Sequence, residues 1–138
     1  MFYIRFGEII MNRNQLIKEA TMAREHAYAP YSNFKVGAAL LTEDGSLYSG
    51  SNIENSSYSL TCCAERIAIF KAISEGQRQF RKMAIIGDSE DPISPCGACR
   101  QVMSEFFNDE VDIYLTNLKG DVKETTISQL LPNSFSLK

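Results

Sequence analysis

The chain has 138 residues, of which 44% are apolar and 22% charged, and a formal net charge of −3. That length suits one domain, and folding it buries roughly 68% of the unfolded surface, enough for a single hydrophobic core. The composition excludes a disordered chain, and no run reaches the ~18 apolar residues of a membrane-spanning helix. The negative balance opposes a phosphate-backbone partner, whose binding draws on Lys and Arg.

Met1 to Ile10 are partly apolar but interrupted by Arg5 and Glu8, and they lack the long apolar stretch of a secretion signal. Two readings stand: residues 1–11 as an extension before a domain at 12–138, or a short extra strand or tail. Without an export signal the chain is expected in the cytoplasm, where thiols stay reduced. Asn12 or Asn14 can cap a helix carrying Leu16, Ile17, Ala20, Ala23 and Ala27 at helical spacing, ending near Ala29-Pro30-Tyr31-Ser32. Val36 to Thr42 and Ser46 to Asn52 flank a turn at Glu43-Asp44-Gly45 and predict a β-hairpin. An apolar helix follows from about Cys63 to Ser74, stopped near Gly76, and then a short strand from Met83 to Ile86. Pro95 precedes a helix from about Gly97 to Phe107, with Val102, Met103, Phe106 and Phe107 as its buried side. Val111 to Thr116 and Val122 to Thr125 are strands, and Ser128 to Leu131 a helical turn. The order α-β-β-α-β-α-β-β predicts one α/β domain: a three-layer α/β/α arrangement with a mixed five-stranded sheet, parallel across its middle and antiparallel at the opening hairpin.

Four cysteines, Cys62, Cys63, Cys96 and Cys99, need a role. A reduced compartment and an adequate core leave little room for disulfides, and Cys96-Gly97-Ala98-Cys99 points to metal or redox chemistry. Cys96 and Cys99 share a face of the helix they open. Cys63 opens the other apolar helix, and two such helix starts can lie side by side at one sheet edge, so that three thiolates meet one ion. Zinc on three protein ligands keeps a fourth position for water, the catalytic pattern. Cys62 reads as an ordinary thiol, because adjacent residues seldom point at one metal; a four-cysteine site would instead be closed and structural. Three thiolates carry excess negative charge, which the helix N-termini and Arg66 would offset. Glu65, two residues from a ligand, can reach water without coordinating and is the expected proton carrier. His26, the only histidine, lies in the first helix away from this cluster, and no glycine-rich phosphate loop is present.

Cys63-Ala64-Glu65 followed by Pro95-Cys96-Gly97-Ala98-Cys99 resembles the zinc deaminase signature in its three-cysteine variant. Tyr28-Ala29-Pro30-Tyr31-Ser32, Phe34 with Val36-Gly37-Ala38-Ala39-Leu40, Asn52-Ile53-Glu54-Asn55, Cys63 to Arg66 and Ser94 to Gln101 are similar to the small homotetrameric cytidine deaminases. The likeness runs from about Asn12 to Phe135; Thr61-Cys62 and the short tail after Phe135 depart from it. It implies zinc on Cys63, Cys96 and Cys99, with Glu65 as acid and base. Asn52 and Glu54 would hydrogen-bond ribose hydroxyls, and Phe34 would contact the pyrimidine. The Ala64 N–H and Glu65 would read the base edge, and the Ser94 carbonyl would face departing ammonia. Tyr58 and Phe135 would reach sites shared between subunits of a tetramer. The implied reaction is hydrolytic deamination of cytidine and 2′-deoxycytidine to the uridines, a step of pyrimidine salvage. Alternatives are a deaminase of another amino-pyrimidine nucleoside, such as a nucleoside antibiotic, or a non-catalytic zinc-stabilised binding module.

Overall fold

The computed structural model describes residues 11–138, so the two readings of Met1 to Ile10 lie outside the described residues. Asn12 caps the first helix, α1 (Arg13–Arg24), through a reciprocal pair of bonds with Gln15: its side chain accepts from the Gln15 N–H at 2.9 Å, and its own N–H donates to Gln15 Oε1 at 2.8 Å. The helix stops short of the expected end near Pro30. Residues after Arg24 turn instead, and the Tyr28 backbone pairs with the segment around Ile53, a long-range competitor for helical hydrogen bonds.

The hairpin forms as expected, from β1 (Val36–Thr42) and β2 (Leu47–Ser51), with Gly45 at φ 88° in its turn. The chain continues through a short 3₁₀ turn at Tyr58–Leu60 to α2 (Ala64–Ser74), β3 (Phe80–Gly87), α3 (Gly97–Phe106), β4 (Asp112–Asn117), β5 (Val122–Thr125) and α4 (Ile127–Leu130). The third strand is longer than the apolar run suggested, because Arg81 and Lys82 continue it in polar residues.

The five strands lie in the order β2-β1-β3-β4-β5. Within this sheet only β3 and β4 pair in parallel; β1 is inserted antiparallel between β2 and β3. The parallel middle expected from the βαβαβ run is therefore narrower than that pattern suggested. The hairpin keeps β1 beside β2, so the crossover through α2 must pass over it. Two-residue alternation divides the core. Val36, Ala38, Leu40, Met83, Ile85, Ile113 and Leu115 pack under α2 and α3, whereas Ala39, Leu41, Ala84, Ile86 and Tyr114 pack under α1. The three layers of the expected fold are thus present.

This topology positions the site. Strands β2 and β3 run in the same direction, and each leads into a helix on the same face, so α2 and α3 begin at the same edge of the sheet. Gly50 lets α2 approach: a Cβ there would sit 2.5 Å from the Ala64 carbonyl oxygen, at the very start of the helix.

Candidate active site

Cys63 and Cys96 are the N-cap residues of α2 and α3, both in extended backbone, and neither side chain makes a capping bond. A Ser or Asp there would spend its side chain on the helix; these sulfurs are free to turn toward each other. Cys99 follows in the first turn of α3 and is fully buried. The Cys63 and Cys96 sulfurs are 3.7 Å apart, and all three lie within 4.8 Å of one another. Three sulfurs held ~2.3 Å from a tetrahedral zinc would stand about 3.8 Å apart, so the donor set fits zinc in both chemistry and spacing.

Cys62 is outside this group. Its backbone exchanges hydrogen bonds with Ile53, at 2.9 Å in each direction, while its half-buried thiol is pushed up by desolvation. Ile53 in turn bridges to Tyr28. This small patch draws the loops around Tyr28, Asn52 and Cys62 into one rim.

Charge within the thiol cluster is shared unevenly. The neighbouring Cys99 thiol, with Arg66 assisting, brings Cys63 down to about 5, while Cys99 is pushed up by Cys63 and by burial. Arg66 Nη2 donates to Cys63 Sγ at 3.4 Å and lies 3.5 Å from the Thr61 carbonyl. Its Nε is buried with no bonded partner among the described residues. The two helix N-termini add partial positive charge to the same point.

A cavity of about 250 Å³ opens beside the thiols, lined by Cys63, Ala64, Glu65 and Cys96 on one side and by Phe34, Asn52, Glu54 and Ser94 around the rest. A larger hollow of about 470 Å³ beside α1, among Met11, Lys18, Met22 and Leu41, has no cysteine in its lining. Glu65 is only 4% exposed, and burial pushes its carboxyl up to about 7. Ala64 is the first residue of α2, so its N–H is one of the donors that a helix start leaves unpaired.

Glu54 is 7% exposed and already engaged. Oε1 accepts from the Tyr31 and Ser32 N–H groups at 2.9 and 3.1 Å, and Oε2 accepts from the Ser32 hydroxyl. The Ser32 hydroxyl, ahead of the backbone donors, holds this carboxyl below its usual value, so it is ionised. A carboxylate has about four acceptor positions; three are used and one is open. Asn52 works in both directions, accepting from the Val36 N–H and donating to the Phe34 carbonyl, each at 2.9 Å. Its amide therefore fixes the loop that carries Phe34, a task the sequence did not reveal.

Tyr58 and Phe135 do not line the cavity of their own chain. Tyr58 is 67% exposed and stands edge-on to Tyr31, with ring centroids 6.1 Å apart. Phe135 is 69% exposed, and its carbonyl accepts from Gln101 Nε2 at 3.2 Å. Ser32, Val36, Thr61 and Ile93 line the cavity without having been singled out. Ser32 and Val36 stand inside the motifs that carry the resemblance and Thr61 stands where it breaks; nothing in the sequence marks Ile93.

These geometric features agree with the chain's relatives. The family described as "Cytidine and deoxycytidylate deaminase zinc-binding region" matches residues 11–115. The cytidine deaminase of Sporosarcina psychrophila is 60% identical over 126 residues, covering 91% of this chain and 93% of that protein. That of Halalkalibacterium halodurans is 57% identical, covering 91% and 96%. The crystal structure of cytidine deaminase from Burkholderia pseudomallei superposes with a TM-score of 0.89 at 52% identity, covering 91% of this chain and all of the other. A match that takes in both cysteine segments, together with three thiols gathered at two helix starts, makes this chain a member of the cytidine and deoxycytidylate deaminase family, with zinc as its metal.

Proposed function

We propose that the protein hydrolyses cytidine and 2′-deoxycytidine to the corresponding uridines, releasing ammonia. One observation carries the reading: a single cavity joins a zinc-type thiol triad, a buried carboxyl, and an ionised carboxylate with one open acceptor position. Residues 12–138 form the catalytic domain on this reading, and reduced thiols suit a cytoplasmic enzyme of pyrimidine salvage.

Cys63, Cys96 and Cys99 would hold zinc, which when bound polarises water and lowers its pKa toward neutrality. Glu65 takes a proton from the water that attacks C4, delivers it to N3, and later protonates the leaving amine. The Ala64 N–H meets the base edge and Phe34 lies against the ring. The Ser94 carbonyl receives the departing ammonia, and Arg66 balances the sulfur charge at Cys63. At the other end, Asn52 and Glu54 meet the ribose, with the free acceptor position of Glu54 taking a hydroxyl proton. Incubation of zinc-analysed protein with cytidine, following uridine and ammonia together, tests the reaction. Absence of both products from protein carrying a full complement of zinc would overturn it.

Glu54→Gln isolates the sugar contact. The Gln oxygen can still accept from Tyr31 and Ser32, and its amide can donate to the Ser32 hydroxyl, so the loop is retained while the charge is lost. Hydrogen bonds to charged groups exceed neutral ones, and kcat/KM for cytidine is expected to fall about ten- to a hundredfold at unchanged zinc content. Free cytosine should be a poor substrate for the wild type. Equal turnover of base and nucleoside would remove the ribose role.

The exposed Phe135 and Tyr58 suit a homotetramer in which each reaches a neighbouring subunit's cavity. Symmetric closure is the usual form of such assemblies, and aromatic side chains often carry their energy. Light scattering at micromolar protein should give four times the 15.5 kDa chain mass. Phe135→Ala should raise KM. A fully active monomer would refute the shared site and leave each chain's zinc chemistry intact.

A further inference from the structure

Arg100 follows the third thiol of the triad and takes no part in the chemistry above, yet it holds together the segment on which that chemistry stands. From the first turn of α3 its guanidinium folds back against the residues preceding the helix. Nε donates to the Pro95 carbonyl at 2.8 Å and Nη2 to Ser94 Oγ at 2.6 Å, while Nη1 reaches the Leu130 carbonyl, at the end of α4, at 2.6 Å. All three acceptors are neutral, and among the described residues the ion pairs lie elsewhere. A charged side chain spent wholly on neutral oxygens of separate segments is acting as a clamp. Only a planar fork of five donors can hold three acceptors on separate segments at once.

The clamped residues, Ser94 and Pro95, directly precede Cys96. Ser94 and Cys96 both line the substrate cavity, whereas Arg100 lines a different hollow together with Leu130 and Gln129. We propose that Arg100 is a positioning residue: from outside the cavity it fixes the Ser94–Cys96 wall, and thereby both the Cys96 thiol and the surface facing the reacting end of the pyrimidine. The substrate half of this inference rests on the deaminase reading; the metal half does not.

Partners that orient metal ligands are commonly worth about 10- to 100-fold in metal affinity or activity. Arg100→Ala should therefore release zinc to a competing chelator about tenfold faster than wild type. Its kcat on cytidine should fall by a similar factor, with KM within about twofold, because Phe34, Asn52 and Glu54 belong to other segments. Arg100→Lys should lie between the two. Ser94→Ala, which removes one of the three bonds and leaves the Ser94 carbonyl, should shift zinc release the same way by less. Gln129→Ala serves as a control: it removes the 2.9 Å bond to Thr125 that braces α4 without touching the clamp, and should release zinc at the wild-type rate even where its melting temperature falls. If Arg100→Ala melts lower yet keeps the wild-type zinc release and kcat, the residue only braces the fold and the proposal fails. It fails equally if Gln129→Ala accelerates release as much. Should Arg100→Ala not fold, unchanged zinc release in both Arg100→Lys and Ser94→Ala overturns it. Zinc release needs no substrate, so a wild type inactive on cytidine would sink the deaminase reading and still leave the metal half decidable.

Discussion

Glu65→Gln is expected to keep its zinc and its fold while losing turnover on cytidine by about 10²–10⁴-fold, the range general acid–base assistance commonly supplies. The loss should sit toward the top of that range, since one carboxyl would serve proton transfers both to the ring and to the leaving amine. Folding should tolerate the change. Glu65 is 4% exposed and burial already favours its neutral form, so a neutral side chain of the same shape removes no buried ion pair and creates no cavity. The measurements are kcat by uridine formation, zinc per chain by mass spectrometry, and thermal midpoint. Near-normal turnover at full zinc would take Glu65 out of the mechanism; lost zinc would instead make it a ligand.

The second large effect concerns the thiols. Cys99→Ser should reduce zinc from about one per chain to a small fraction, whereas Cys62→Ser should keep it. A serine hydroxyl remains protonated near neutral pH and is a poor substitute for thiolate, and two remaining sulfurs form no three-ligand site. Cys62 stands outside the group whose sulfurs lie within 4.8 Å, tied into the rim through its backbone bonds to Ile53, which a serine would retain. Because metal binding free energy becomes folding free energy, Cys99→Ser should also melt near the temperature of chelator-stripped wild type. Equal zinc loss in the two variants would mean a closed four-cysteine site and would end the catalytic reading.

The sequence by itself determined the parts whose physics is local. Helix starts are set within a few residues, so Cys63 and Cys96 could be placed at N-termini and Cys99 one turn on. The hairpin turn at Glu43-Asp44-Gly45 and the strand from Val36 to Thr42 were legible for the same reason. The Cys-Ala-Glu and Pro-Cys-x-x-Cys segments also sit where local structure carries the chemistry, and so they point to zinc by themselves. Tertiary structure decided what depends on pairing between distant segments. It inserted β1 between β2 and β3, and it ended α1 at Arg24, where the Tyr28 backbone was captured by the Ile53 segment. It brought Thr61 and Ile93 to the cavity wall and turned the Asn52 amide onto the Phe34 loop. It also folded Arg100 back over Ser94 and Pro95 to reach Leu130, 30 residues away. A side chain's partner across the fold depends on strand order and loop closure. Neither is encoded in the few residues around it, so these contacts became visible only when the chain was folded.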